Sequence, residues 1–94
     1  MSVELTVVVP VFNERESVPE LYRRLTAALA GVVTSLEVVF VDDGSNDGSW
    51  EIIRGLASRD ARVKGLSFSR NFGHQMAVTA GLDHANGDAV VIMD

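Results

Sequence analysis

Four short strand-like runs, three of them rich in valine and isoleucine, alternate with three longer segments whose apolar residues recur every three or four positions. The runs cover residues 5–11, 36–41, 63–68 and 89–93. Apolar β-branched runs are typical of strands covered on both faces, and the periodicity between them is typical of amphipathic helices. The order βαβαβαβ therefore predicts a three-layer α/β/α parallel sheet with right-handed crossovers.

Length, composition and charge limit the classes of protein to which this chain can belong. The chain has 94 residues, 47% hydrophobic and 22% charged, which suits one small globular domain. It has no cysteine, which excludes disulfides and thiolate zinc sites and is typical of a reducing compartment, so we expect a cytoplasmic location. The net charge of −5 and the scattered basic residues argue against binding nucleic acid. No apolar run approaches the ~20 residues of a membrane span, and no basic leader precedes one.

Polar residues mark the starts of the second and third helices. Asp47 is predicted to cap the second helix, and Asn71 the third, which runs from about Gly73 to His84. The inner face of the third helix consists of small residues, so we expect it to lie close to the sheet: Ala77, Ala80 and Gly81.

Ligands of parallel α/β sheets bind beyond the carboxyl ends of the strands. Four segments are predicted to meet there: Pro10 to Glu14, Asp42 to Asp47, Ser69 to Gly73, and Asp94. The first segment has no glycine, whereas dinucleotide fingerprints and P-loops both require glycines at this turn. NAD enzymes and P-loop NTPases are therefore excluded. The segment instead offers Phe12, which can lie against a flat ring or pack as an ordinary loop aromatic.

The other segments carry charge. Asp42 and Asp43 are adjacent, so their side chains point to opposite sides of the strand and serve different purposes. One can hold backbone N–H groups of the turn, as an ordinary Asx motif does, and the other can accept a hydrogen bond from the imide N–H of a base. Arg70, beside a helix N-terminus, suits a phosphate or carboxylate, or pairs with a surface acid. Asp94 is a carboxylate of the kind that holds Mg²⁺ or Mn²⁺.

The two histidines, His74 and His84, have no third ligand at a spacing typical of metal sites. We expect both to be structural or exposed.

Taken together, three motifs resemble the nucleotide-sugar-binding half of the family 2 glycosyltransferases, which adopt the Rossmann-like GT-A fold. They are VVPVFNE at 8–14, VDDGSND at 41–47 and ANGDAVVIMD at 85–94. The stretch SRNFGHQMAVTAGLDHA at 69–85 is similar to the polyprenyl-phosphate branch, whose members include dolichyl-phosphate mannose synthase. The resemblance covers nearly the whole chain, so we interpret residues 1–94 as this half of the domain, ending with the fourth strand of a longer protein.

The resemblance implies a role for each matching residue. Pro10 and Phe12 would frame the base, Glu14 would lie near the nucleotide, and Asp43 would read the base edge while Asp42 supports the turn. The loop beside the nucleotide and its phosphates would consist of Arg70, Asn71 and Gly73. Asp94 would be the first acid of the D-x-D motif, which holds ribose and a Mg²⁺ or Mn²⁺ ion.

The resemblance also implies partners. The donor would be a nucleotide-diphosphate sugar, with UDP favoured over GDP, and the acceptor a polyprenyl phosphate. The parent protein would be a metal-dependent hexosyltransferase at the cytoplasmic face of a membrane. Because the second acid and the acceptor region are not among residues 1–94, we expect this chain alone to be inactive.

Two other classes have small α/β domains of this kind. A receiver-like signalling module places paired acids after its first strand, whereas here the pair follows the second. A sugar nucleotidyltransferase carries a glycine-rich first loop, and this chain has none. In addition, an open sheet edge promotes pairing between chains, so we expect the isolated chain to self-associate.

Overall fold

The computed structural model describes residues 3–93, so Asp94 lies outside the described residues. Seven elements follow one another in the expected order, which confirms the βαβαβαβ prediction: β1 (Val3–Val11), α1 (Ser17–Leu29), β2 (Leu36–Asp42), α2 (Ser49–Arg59), β3 (Val63–Ser67), α3 (His74–His84) and β4 (Gly87–Ile92).

The four strands form one parallel sheet in the order β3-β2-β1-β4. From β1 the chain moves outward through β2 to β3 and then returns to the other side of β1 to form β4. The strand order thus reverses at β1, and this is the place where ligands of such sheets bind. The pairing of Val11 with Asp42, and of Asp42 with Ser67, brings the loops after three strands side by side.

Helices cover both faces of the sheet, as predicted. On one face, α1 and α2 pack against Val7, Val9 and Phe40. On the other, α3 packs against Val8, Val39 and Val41 through the buried Ala77. A side chain at Gly81 would overlap the side chain of Val8, which confirms that small residues let α3 lie close to the sheet.

One charged side chain interrupts the apolar face under α3. Glu37 is only 3% exposed. Its carboxylate accepts hydrogen bonds from the Thr6 hydroxyl (2.8 Å) and from the N–H and side-chain amide of Asn86 (both 3.0 Å), and it pairs with Lys64. We refer to these four residues as the Glu37 cluster. Burial raises the pKa of Glu37, but the hydrogen bonds from Lys64, Asn86 and Thr6 outweigh burial and lower the pKa to about 2.

The two predicted helix caps differ from the structure. Gly48, with φ of 93°, holds the N-cap position of α2, although the carboxylate of Asp47 still accepts the N–H of Ser49 at 3.0 Å. The prediction for Asn71 is wrong, because Gly73 holds the N-cap position of α3. The Asn71 amide donates instead to Asp43 in the loop after β2.

The strand β4 forms one edge of the described sheet, and its side chains are exposed on both faces. Val90 lies level with Thr6, on the α3 face, and Val91 lies level with Val7, on the face of α1 and α2. Within residues 3–93, no helix has the length and apolar character needed to cross a membrane.

Candidate functional site

A pocket of about 230 Å³ opens at the carboxyl edge of the sheet, where the loops after β1, β2 and β3 meet. It contains six of the eight predicted site residues: Pro10, Phe12, Glu14, Asp43, Asn71 and Gly73. Val11 and His74 complete its lining. The structure therefore brings together residues that are up to 64 positions apart in the sequence (Pro10 to His74).

Asp43 joins the three loops. The residue is 3% exposed, and its carboxylate accepts the N–H of Phe72 (2.8 Å), the N–H of Gly73 (3.0 Å) and the side-chain amide of Asn71 (3.3 Å). Its own N–H donates to the carbonyl of Val11 at 2.8 Å. A carboxylate has about four acceptor positions, so one position on Oδ1 is left for a further donor.

The backbone N–H groups of Phe72 and Gly73, which directly precede α3, are therefore bound by the carboxylate of Asp43. Negative charge at a helix N-terminus is favourable, so Asp43 stabilises α3 from a distance in sequence. The carboxylate thus fixes the segment that leads into α3, whose N-cap residue Gly73 has no side chain of its own.

Gly44 allows the loops after β2 and β3 to approach this closely. Its φ is +75°, and a Cβ at this position would lie 2.8 Å from the Cα of Arg70 and closer still to the backbone nitrogen of Asn71. Backbone atoms cannot move away as a flexible side chain can. Only glycine therefore fits here.

Asp42 has different surroundings from Asp43. It is buried level with Val11, which packs on the face of α1 and α2. Burial raises the pKa of Asp42, and hydrogen bonds from the hydroxyl and N–H of Ser45 partly offset this rise. Its Oδ1 is buried without a hydrogen-bond partner among the residues described. The two adjacent carboxylates thus face opposite sides, as the alternation along a strand predicted.

Arg70 is exposed and does not line the pocket. Its guanidinium lies 4.8 Å from the centre of the Phe72 ring, which in turn packs edge-on against Phe68 at 5.6 Å. Such a contact between a guanidinium and a ring is weakly attractive at an exposed site. A nucleotide-binding role for Arg70 stays a prediction, and the prediction for Asp94 falls outside the described residues.

Sequence reasoning missed His74 as a pocket residue. Its position directly after Gly73, at the first turn of α3, was the available signal. His84 is exposed, and its Nδ1 lies 2.9 Å from the carbonyl oxygen of Ala80 in the same helix. Between residues 3 and 93, no three His, Cys, Asp or Glu side chains are grouped so that they could hold a metal ion.

The sequence matches the family described as Glycosyl transferase family 2 over residues 6–94. The chain therefore belongs to this family, which confirms the resemblance drawn from the three motifs. Neither a receiver-like module nor a sugar nucleotidyltransferase is consistent with this membership.

Two curated relatives illustrate the similarity. The chain is 47% identical over 92 residues to YkcC of Bacillus subtilis (strain 168), described as an uncharacterized glycosyltransferase, and 46% identical over 91 residues to the bactoprenol glucosyl transferase of Shigella phage SfV. These matches cover 98% and 97% of this chain, but only 28% and 30% of the relatives. The chain thus spans less than a third of their length.

Solved structures share the fold. S. aureus TarS 1–349 in complex with UDP superimposes with a TM-score of 0.80 at 24% identity, covering 98% of this chain and 27% of that one. The mannosyltransferase PcManGT from Pyrobaculum calidifontis, in complex with GDP-Man and Mn²⁺, gives a TM-score of 0.68 at 27% identity, covering 96% and 26%. The predicted α/β fold is thereby confirmed.

Proposed function

We propose that this chain is the nucleotide-sugar-binding part of a glycosyltransferase that passes a hexose to a polyprenyl phosphate. Family membership supports the reaction class. The name of the phage relative, a bactoprenol glucosyl transferase, supports a polyprenyl acceptor. An acceptor of this kind would place the reaction at a membrane surface, and the cysteine-free sequence favours its cytoplasmic face.

The observation that carries the proposal is the fixed carboxylate of Asp43 in the pocket. Three donors hold it, and one acceptor position on Oδ1 remains for the imide N–H of a base. Phe12, 46% exposed, and Pro10 supply apolar surface for the flat face of the base. Because uracil and guanine both present such an N–H, the donor is a UDP- or GDP-sugar, and the resemblance to the polyprenyl-phosphate branch favours UDP.

The size of the pocket agrees with this assignment. About 230 Å³ is below the ~300–1,000 Å³ of complete small-molecule sites, so the pocket suits the base end of the donor. The diphosphate and sugar would extend outward along the carboxyl edge, towards Asn71, Gly73 and the predicted phosphate partner Arg70.

We further propose a divalent cofactor, Mg²⁺ or Mn²⁺, with Asp94 as one of its ligands. The Mn²⁺ in the GDP-Man complex of PcManGT supports this. When bound, such an ion neutralises the leaving diphosphate. We propose that this chain's own contribution is to bind and orient the nucleotide, and that it is inactive in isolation.

The binding role can be tested by calorimetric titration with UDP and GDP, each with and without Mn²⁺. We expect the unchanged chain to bind UDP more tightly than GDP. Asp43→Asn should weaken UDP binding by about 10- to 100-fold, because a hydrogen bond to a charged acceptor contributes about 1.5–3 kcal/mol.

Asp88→Asn is the matched control, since this exposed aspartate lies at the far end of β4. Equal UDP affinity of Asp43→Asn and Asp88→Asn would refute the role of Asp43. If the unchanged chain binds neither nucleotide, the donor site is not contained in residues 1–94, and the same titration on a longer protein decides whether the proposal survives.

We also propose that the isolated chain self-associates through β4. Val90, Val91 and Ile92 are exposed on this edge strand, and unpaired strand edges pair readily. Light scattering across a range of concentrations should give a mass above the 10.1 kDa of one chain. Val91→Lys, which places a charge on the edge, should lower that mass, and a constant monomer mass for the unchanged chain would contradict the proposal.

A further inference from the structure

The loop after β1 takes its conformation from side chains of the loop after β2 and of the first residue of α2. Three consecutive N–H groups each donate to one of these side chains: Asn13 to the Ser45 hydroxyl at 2.8 Å, Glu14 to the Ser49 hydroxyl at 3.1 Å, and Arg15 to the Asp47 carboxylate at 3.2 Å. We call Ser45, Asp47 and Ser49 the acceptor ladder.

Asp47 also orients the side chain of Ser49. Its Oδ1 accepts both the hydroxyl of Ser49 (2.5 Å) and its N–H (3.0 Å), so the hydroxyl oxygen of Ser49 is left to accept from Glu14. Ser49 is fully buried, which holds this arrangement away from water. Both carboxylate oxygens of Asp47 therefore accept hydrogen bonds, Oδ1 from Ser49 and Oδ2 from the N–H of Arg15.

The loop after β1 also contains a residue with an uncommon backbone conformation. It contains no glycine, yet Asn13 adopts a left-handed φ of 51°, a conformation that residues other than glycine rarely adopt. The side chain of Asn13 accepts the N–H of Asn46 at 3.0 Å, which adds one more bond to the loop after β2. Contacts with the neighbouring loop thus hold Asn13 in this conformation.

The ladder lies outside the pocket, whereas the loop that it holds carries Phe12 and Glu14 into the pocket. We propose that Ser45, Asp47 and Ser49 are positioning residues that set the affinity for the nucleotide by fixing this loop before the nucleotide binds. The inference rests on the proposed function. A loop that must become ordered during binding lowers affinity, because the entropy of ordering is then subtracted from the binding free energy.

The test uses Asp47→Ala and Ser49→Ala, with Asp83→Ala and Ser58→Ala as matched controls on exposed helical positions. Amide hydrogen exchange without nucleotide is measured first. Asp47→Ala should accelerate exchange at Glu14 and Arg15 by about tenfold or more while the amides of β1 and β2 keep their protection. Ser49→Ala should act mainly at Glu14.

Titration with UDP on the same proteins gives the second measurement. We expect Asp47→Ala to weaken UDP binding by about tenfold, whereas both controls bind as the unchanged chain does. Asp47→Asn separates positioning from general destabilisation. Its single oxygen can serve Ser49 or Arg15 but not both, so one of the two loop amides should recover protection and the loss of affinity should be smaller.

Unchanged exchange at residues 13–15 in Asp47→Ala would overturn the inference, as would faster exchange with unchanged UDP affinity. Loss of protection throughout β1 and β2 would also overturn it, because the ladder would then stabilise the fold as a whole. Failure of the unchanged chain to bind UDP is a separate result, which counts against the proposed function and depends on no substitution.

Discussion

Gly44→Ala is expected to lower the free energy of unfolding by about 3 kcal/mol and to open the pocket. The new Cβ would overlap the backbone of Arg70 and Asn71, and the φ of +75° is unfavourable for alanine as well. The loops after β2 and β3 must then separate, and the hydrogen bonds from Phe72 and Gly73 to Asp43 lengthen or break. UDP affinity should therefore fall together with stability. Urea unfolding and UDP titration measure the two effects.

Gly31→Ala separates backbone strain from close approach. Gly31 has a similar φ of +79°, but a Cβ there would meet no atom within 4 Å. This substitution should lower the free energy of unfolding by about 1 kcal/mol, because only the left-handed conformation is unfavourable for alanine. Equal losses for Gly31→Ala and Gly44→Ala would mean that the backbones of the two loops are not in contact.

Glu37→Gln is expected to destabilise the chain by about 3 kcal/mol at neutral pH. Glutamine retains one oxygen for the N–H of Asn86 or the hydroxyl of Thr6, but its amide group faces the donors of Lys64 and Asn86. Lys64 is half exposed and can turn towards water. The expected loss of stability is therefore at the lower end of the range observed when one partner of a buried ion pair is removed. Chemical unfolding at pH 7 measures the difference, with the exposed Glu51→Gln as control.

The dependence on pH gives this prediction a second test. The pKa of Glu37 is about 2 in the folded chain, against 4.5 as the ordinary value. A lowered pKa means that the folded chain binds the proton less readily, so the stabilisation is present above pH 4.5 and is lost as the pH falls towards 2. The unchanged chain should lose stability across this window more steeply than Glu37→Gln. Parallel curves would contradict the lowered pKa.

Much of the fold could be predicted from local patterns. The valine-rich runs predicted the strands, and the positions of Ala77 and Gly81 predicted the close approach of α3, because both depend on residues within one element. Six of eight predicted site residues line one pocket, since the carboxyl ends of parallel strands share an edge. The remaining two, Arg70 and Asp94, are respectively outside the pocket lining and outside the described residues.

The prediction for Asn71 failed because its partner lies in another loop. Asn71 has the side chain of a typical helix cap, but Gly73 holds the N-cap position of α3 and the Asn71 amide donates to Asp43, 28 residues earlier. The Glu37 cluster was not predicted at all, because Asn86 lies 49 residues away from Glu37 in the sequence. Nothing local distinguishes such a glutamate from one that faces solvent.

The sequence by itself determined the elements, the parallel sheet and the family, because periodicity, turn residues and motifs act over about ten neighbouring residues. The tertiary structure alone decided the strand order, the contact of Gly44 with the next loop, the Glu37 cluster and the acceptor ladder. Those features depend on strand register, which brings distant residues within hydrogen-bond distance only after the sheet has formed.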